Sequence, residues 1–375
     1  MRIVYDNIIF SSQKSGGISV VWGELLRRAL RDGLDLSFVE FTPTDNLVRQ
    51  DLQIPRQLVR QTPASLRKLF KYLPVFASGR EDFLFHSSFF RTCPNPHAIN
   101  ITTVHDFTNE LYQTGSGARK ERWIKHKAIR QSDFIICISD NTRSDFFRFF
   151  PDFPRERVRV IYNGVSDSFH PVDRGELDRP GSYLLFVGDR GGYKHFDVMP
   201  DLIRRSGLEL VFTGNPLSAT EETMIAGIEH KCHYAGRVDT DELNRLYAGA
   251  FALVYPSAYE GFGLPVLEAQ KAGCPVIACK ASSIPEIIGE TPLLIDRPSA
   301  EAIIPKLRLL EDDSVRARVT RDGERNAARF SWDKMYQEVV SLYREAIVSG
   351  KRRKARGCPE GGSDGPDGSR QEPTD

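Results

Sequence analysis

Two carboxylates, Glu260 and Glu268, stand with seven residues between them, and that interval contains Gly261-Phe262-Gly263-Leu264-Pro265. A carboxylate accepts hydrogen bonds well from sugar or ribose hydroxyls. The glycines free the backbone, Pro265 suits the first turn of a helix, and Gly273 suits its stop. The first N–H groups of a helix lack intrahelical partners and lie at the positive end of its dipole. The turn therefore favours an anion such as a diphosphate. A second group is Gly188-Asp189-Arg190-Gly191-Gly192-Tyr193-Lys194, where glycines and two cations beside a helix start can clamp a phosphate. His105, in Thr103-Val104-His105-Asp106, can donate to a hydroxyl or carbonyl. Gly16 and Gly17 close a polar loop and let a ligand approach the backbone.

Each of these groups follows an apolar run that reads as a strand. Phe251–Tyr255 precedes the glutamate turn, Ser182–Gly188 precedes the basic turn, and Ala98–Asp106 ends near His105. Ile3–Phe10 precedes the paired glycines, which lead into a helix over Ile18–Arg31. Further strands at Leu208–Asn215 and His233–Val238 continue an alternation of strands with helices. That alternation implies parallel sheets covered on both faces. A polar, proline-bearing linker over 167–181 divides the pattern into two doubly wound α/β domains, 1–170 and 171–330. A helix over 331–349 follows. The tail 350–375 is too polar to pack and is expected to be disordered. Open α/β sheets bind ligands at the carboxyl ends of their strands, so the two domains should face a shared cleft.

Composition removes several classes. A net charge of +1 over 375 residues argues against bulk affinity for nucleic acid. Six cysteines form no CxxC pair, which suggests reduced core thiols. No leader precedes the first strand and no apolar run reaches about 18 residues, so a cytoplasmic protein without a membrane span is expected. GxGxxG and the P-loop are both missing, which disfavours a dinucleotide oxidoreductase or a P-loop phosphotransferase. Asp239-Thr240-Asp241 reads as a helix cap rather than a metal chelate, and His230 and His233 lack further ligands, so no metal site is expected. Residues 49–80 carry Arg49, Arg56, Arg60, Arg67, Lys68, Lys71 and Arg80 against Asp51, interleaved with leucine, valine and phenylalanine. Such a segment suits either an anionic membrane surface or a helix packed on its own domain with a solvated basic face.

The span Glu260–Glu268 resembles the E-x7-E motif of the family-four retaining glycosyltransferases, which have the two-domain GT-B fold. Val187-Gly188 with Lys194, Val160-Ile161-Tyr162-Asn163-Gly164-Val165, Ile138-Ser139-Asp140 and Thr103–Asp106 support the likeness over about residues 1–345. Where that family often has Gly-Arg, this chain has Gly188-Asp189-Arg190, so Arg190 takes the arginine role. The resemblance implies two Rossmann-like domains facing a central cleft, with a final helix crossing back to the N-terminal domain. It also implies roles. Glu268 binds the donor ribose, while Glu260 and the backbone N–H groups of Phe262, Gly263 and Leu264, with Gly261, hold sugar and diphosphate. Arg190 and Lys194 neutralise the departing diphosphate. Gly188, Gly214, Arg237 and Val238 complete the donor pocket, the last two at the nucleobase. His105 meets the donor sugar from the opposite domain, and Gly16-Gly17 face the phosphates or the acceptor. The donor is a nucleotide sugar, with GDP-mannose preferred, and the acceptor a glycan or lipid-linked sugar of bacterial surface polysaccharide. Neither metal nor other cofactor is implied, and the inner membrane is a peripheral partner. A nucleotide-sugar binder without catalysis and a GT-B epimerase stay open as alternatives.

Overall fold

The computed structural model describes residues 1–356 apart from Asp178, and leaves the side chains of Lys68, Leu69, Arg174 and 351–356 undescribed. The part of the expected tail from 357 to 375 lies outside the described residues.

The N-terminal sheet holds β1 (Arg2–Asp6), β2 (Asp35–Thr42), β3 (Val59–Pro63), β4 (Phe83–Ser87), β5 (Ala98–Val104), β6 (Phe134–Cys137) and β7 (Val158–Val160). All pairings are parallel, in the order β3-β2-β1-β4-β5-β6-β7. The second sheet holds β8 (Tyr183–Phe186), β9 (Glu209–Thr213), β10 (Cys232–Gly236), β11 (Ala252–Tyr255), β12 (Val276–Cys279) and β13 (Leu294–Ile295), in the parallel order β10-β9-β8-β11-β12-β13. Strands β4, β6, β8, β11 and β12 are buried at every residue, because helices cover both faces. Each sheet reverses its strand order once, at β1/β4 and at β8/β11. A crevice opens at such a switch point. The loop bearing Lys194 and the loop bearing Glu260 therefore leave neighbouring strands side by side.

The chain passes between the domains twice, and the two passages touch. Val165 N–H donates to Phe330 O at 3.3 Å, and a Cβ on Gly164 would lie 2.2 Å from the nitrogen of Trp332. Only glycine permits that approach. The helix Trp332–Arg356 then returns to the N-terminal domain. Trp332, Met335, Tyr336, Val339, Val340 and Tyr343 enter one core with Ile3, Tyr5, Val21 and Leu25.

Four expectations are corrected. The first strand ends at Asp6, not Phe10, because Asp6 is drawn into a buried pair with Arg91 and Ile9–Ser12 coil into a helical turn. The 49–80 segment is no continuous helix: Pro55, Pro63 and Pro74 interrupt it, and Val59–Pro63 becomes the edge strand paired with β2. The strand expected over His233–Val238 stops at Gly236, whose φ of 77° turns the chain, so Arg237 and Val238 lie in the loop beyond it. The final helix runs to Arg356, past the expected end at 349.

Candidate functional site

At the end of β11 the backbone turns through Gly263, whose φ is 104°, and Pro265 starts the helix Leu264–Lys271. The turn is secured from the end of β12. Glu260 N–H donates to Ser282 Oγ at 2.7 Å, and Ser283 Oγ donates to the carbonyls of Glu260 at 2.8 Å and Phe262 at 3.0 Å. These bonds fix the main chain while leaving the Glu260 carboxylate to Lys194, whose Nζ lies 2.8 Å from Oε1. Both side chains are mostly buried. Burial pulls the Lys194 ammonium down, but Glu260, Tyr193 and Asp189 together outweigh it and the lysine is held above its usual value. It is a permanent cation at the switch point.

Glu268 lies one turn into the helix. Tyr247 Oη donates to its Oε2 at 2.9 Å. Glu268 is half-buried, and desolvation pushes its carboxyl up to about 7 against the opposing Tyr247 bond.

The N-terminal domain meets this turn directly. A Cβ on Gly261 would fall 1.9 Å from the carbonyl oxygen of His105, so the glycine lets the two main chains touch. Gly261 O accepts from Ser139 Oγ at 2.7 Å and from Thr142 Oγ1 at 3.2 Å. Tyr259 reaches across into a core with Val104, Phe107 and Phe146, where its hydroxyl donates to Asp145 Oδ2 at 2.8 Å and accepts from Phe107 N–H at 3.0 Å. Burial pushes the His105 imidazole down to about 4; Asp106 opposes this and Lys125 assists it. The ring is neutral at physiological pH and can serve as donor or acceptor. Lys125, itself buried, donates to Asp106 O at 2.8 Å and to Glu110 Oε2 at 2.7 Å, which anchors the His105–Phe107 turn.

The glycine loops converge on the same edge. Gly17 faces Leu264, with a Cβ position 3.7 Å from Leu264 Cδ1, while Gly16 lies against the side chain of Gln13. Gly214, at φ 107°, presses on the carbonyl of Gly188, and its N–H donates to Gly236 O at 2.9 Å. Arg237 Nη2 donates to Asn215 Oδ1 at 2.8 Å, and Val238 follows half-buried. Arg190 departs from expectation. Its guanidinium is buried, donates to Glu221 at 2.8 Å, and bonds the carbonyls of Thr213, Asn215 and Pro216 at 3.2, 2.6 and 3.0 Å. These carbonyls, at the end of β9 and in the turn that follows it, are gathered by one fork of donors. Arg190 therefore organises the loop after β9 rather than offering a cation to the cleft.

Asp239 accepts from Glu242 N–H at 2.9 Å as a helix cap. Among the described residues no three histidine, cysteine or carboxylate side chains gather as a metal site would require, and no helix is long and apolar enough to cross a membrane.

Sequence reasoning passed over Thr142, Tyr259, Lys125, Tyr247, Ser282, Ser283 and Glu286, all of which hold site residues or the junction between the domains. Ser139 caps the helix Asp140–Phe149, accepting from Thr142 N–H at 3.0 Å. Its second duty to Gly261 had no local signal.

The comparisons agree with this geometry. The model for glycosyl transferases group 1 matches residues 173–330, and that for glycosyltransferase family 4 matches 15–169. The chain is 28% identical over 292 residues to the O-antigen chain mannosyltransferase B of Escherichia coli, covering 70% of this chain and 74% of that protein. It is 33% identical over 235 residues to an MMP alpha-(1->4)-mannosyltransferase of Mycolicibacterium hassiacum, covering 60% of this chain and 57% of that one. The structure of Anabaena HepE in complex with UDP and glucose superposes with a TM-score of 0.72 at 14% identity, over 92% of this chain and 100% of that chain, a likeness of fold. With both halves matched in the order in which the two sheets follow each other along the chain, the protein belongs to the group 1 glycosyl transferases.

Proposed function

We propose that this glycosyltransferase is a retaining hexosyltransferase that moves mannose from GDP-mannose to a glycan or lipid-linked sugar in bacterial surface polysaccharide synthesis. The observation that carries a transfer site here is the Lys194–Glu260 pair at the β8/β11 switch point, seated against the His105 main chain of the other domain. The mannosyl choice is supported by the two mannosyltransferase relatives.

In this reading Lys194 and the N-terminus of the helix Leu264–Lys271 face the diphosphate, and Glu260 accepts from sugar hydroxyls. As the bond from the anomeric carbon to the phosphate oxygen breaks, negative charge grows on that oxygen. A fixed cation and helix N–H groups favour it there, which is the largest contribution such sites make. The acceptor hydroxyl attacks the same face, and its proton passes to the leaving phosphate. Neutral His105 orients the sugar. In this reading Lys194 and the helix N–H groups meet that charge without a metal ion.

A cytoplasmic, membrane-peripheral location is supported by one surface. Leu73 and Trp123 are exposed there, and Lys71, Lys120 and Lys127 lie over the rings of Phe89, Tyr72 and Trp123. Failure to bind anionic vesicles at low salt, where headgroup attraction is strongest, would remove that part of the reading.

A thermal-shift panel of UDP, GDP, ADP, dTDP and CDP with their sugars, run in EDTA, tests the core of it. A ligand at a hundred times its Kd adds about 2.7 kcal/mol of stability. GDP and GDP-mannose are expected to win, with mannose transferred in the α configuration. A different winning base overturns the donor, and dependence on added metal overturns the charge balance. Interconversion of the donor alone would instead indicate an epimerase.

A further inference from the structure

Glu286 is a carboxylate of the C-terminal domain that caps a helix of the N-terminal one. It lies in the short helix Ile284–Ile288, and its two oxygens accept the backbone N–H groups of Asp140 at 3.0 Å and Asn141 at 2.9 Å. These are the first residues of the helix Asp140–Phe149. That helix has its own cap, Ser139, which takes only the Thr142 N–H. Its two leading donors are thus satisfied from the opposite domain. Tyr162, on the last turn of chain before the linker, brings its hydroxyl 2.9 Å from Glu286 and 3.0 Å from Asp140. A carboxylate at a helix N-terminus gains both charge-assisted hydrogen bonds and the dipole.

The other end of this connection is the candidate site. The residues leading into the Glu286 helix are Ser282 and Ser283, whose hydroxyls hold the main chain of Glu260 and Phe262. Beside it, Gly261 O accepts from Ser139 and Thr142 of the same N-terminal helix. One helix start in the N-terminal domain therefore grips the glutamate turn at two places, the Gly261 carbonyl and, through Glu286, the serines behind Glu260.

We propose that Glu286 is a positioning residue: it sets the angle between the domains so that Glu260 and Lys194 stand opposite His105. This rests on the transferase reading for its effect on turnover, but not for its effect on domain geometry. Glu286→Ala and Glu286→Gln are compared with the unaltered protein in three measurements. These are small-angle scattering of the free protein, Kd for UDP and GDP, and the rate at which the corresponding nucleotide sugar is hydrolysed without acceptor. Glu286→Ala is expected to widen the scattering envelope and leave nucleotide Kd unchanged. Hydrolysis should fall on the order of tenfold to a hundredfold, the scale of a misplacement of roughly 1 Å between reacting groups. Glu286→Gln keeps an oxygen acceptor and should recover part of both. An unchanged envelope in a folded Glu286→Ala protein overturns the proposal, as does a nucleotide Kd that rises in step with the loss of rate. If the unaltered protein binds and hydrolyses no nucleotide sugar, the transferase reading fails by itself, and the scattering arm still decides the clamp.

Discussion

The two walls of the cleft are built differently. The C-terminal wall is main chain held by short hydroxyl bonds, with one ion pair, Lys194–Glu260, left partly open to the cleft at 16% and 13% side-chain exposure. The N-terminal wall stands on carboxylates more deeply buried, each exposed by 4% or less and each tied to a partner of its own domain. Asp6 is paired with Arg91 and Ser87, Glu40 with Arg49 and Asn7, and Glu110 with Lys125, the last pair exposed by only 2% each. His86 joins that network, bridging Tyr343 of the crossing helix at 2.6 Å and Thr103 at 2.9 Å. Charge on one wall is available for chemistry, and charge on the other fixes the strand ends that present His105.

Substitutions should separate the walls. The largest effect is expected from Arg91→Ala, which leaves the fully buried Asp6 with only Ser87 for its side chain. Removing one partner of a buried pair costs about 3–5 kcal/mol, read as a lower urea midpoint with the transferred sugar unchanged. Lys194→Ala should weigh the other way: about a hundredfold or more loss of transfer, the scale of one missing oxyanion donor, with a smaller fall in urea midpoint than Arg91→Ala, because the Glu260 left behind keeps some exposure where Asp6 has none. If Lys194→Ala unfolds the protein, or Arg91→Ala leaves its stability intact, the division between the walls is wrong. Gly261→Ala tests their junction. Its methyl group would meet the His105 carbonyl, and the forced separation should slow transfer by about tenfold or more while nucleotide binding persists.

The smallest effect concerns pH. The Glu268 carboxyl is raised to about 7 by desolvation, so it is protonated in the free protein over a range where the unfolded chain would be ionised. Between the ordinary carboxylate value and about 7 the folded state binds more protons, and stability falls as pH rises through that window. Ribose hydroxyls donate best to the carboxylate. Nucleotide affinity should therefore rise as pH passes upward through about 7 and then level off. Glu268→Gln should flatten that rise, and calorimetry showing equal slopes in both proteins would remove Glu268 from the binding site.

Legibility followed the range of the interactions involved. Glu260, Gly263, Pro265 and Glu268 could be read because strand, turn and helix are contiguous, and turn and cap preferences act over a few residues. The same locality made Asp239 legible as a cap. The partners of Arg190 had no local signal, because the carbonyls that bind it, those of Thr213, Asn215 and Pro216, lie 23 to 26 residues later. The basic stretch after residue 49 was misread because its composition suited a helix face, while its prolines and its place beside β2 made Val59–Pro63 a strand.

The sequence alone determined two parallel α/β domains, their switch-point turns and the residue types at the candidate site, because hydrophobic period and glycine placement are written locally. Only the tertiary structure decided which of those residues meet. The contact of Gly261 with His105, the capping of Asp140 and Asn141 by Glu286, and the pairing of Lys194 with Glu260 each join elements 66 to 156 residues apart. No local preference encodes such partners; they follow from how two sheets, passing their chain twice through one narrow junction, are brought face to face.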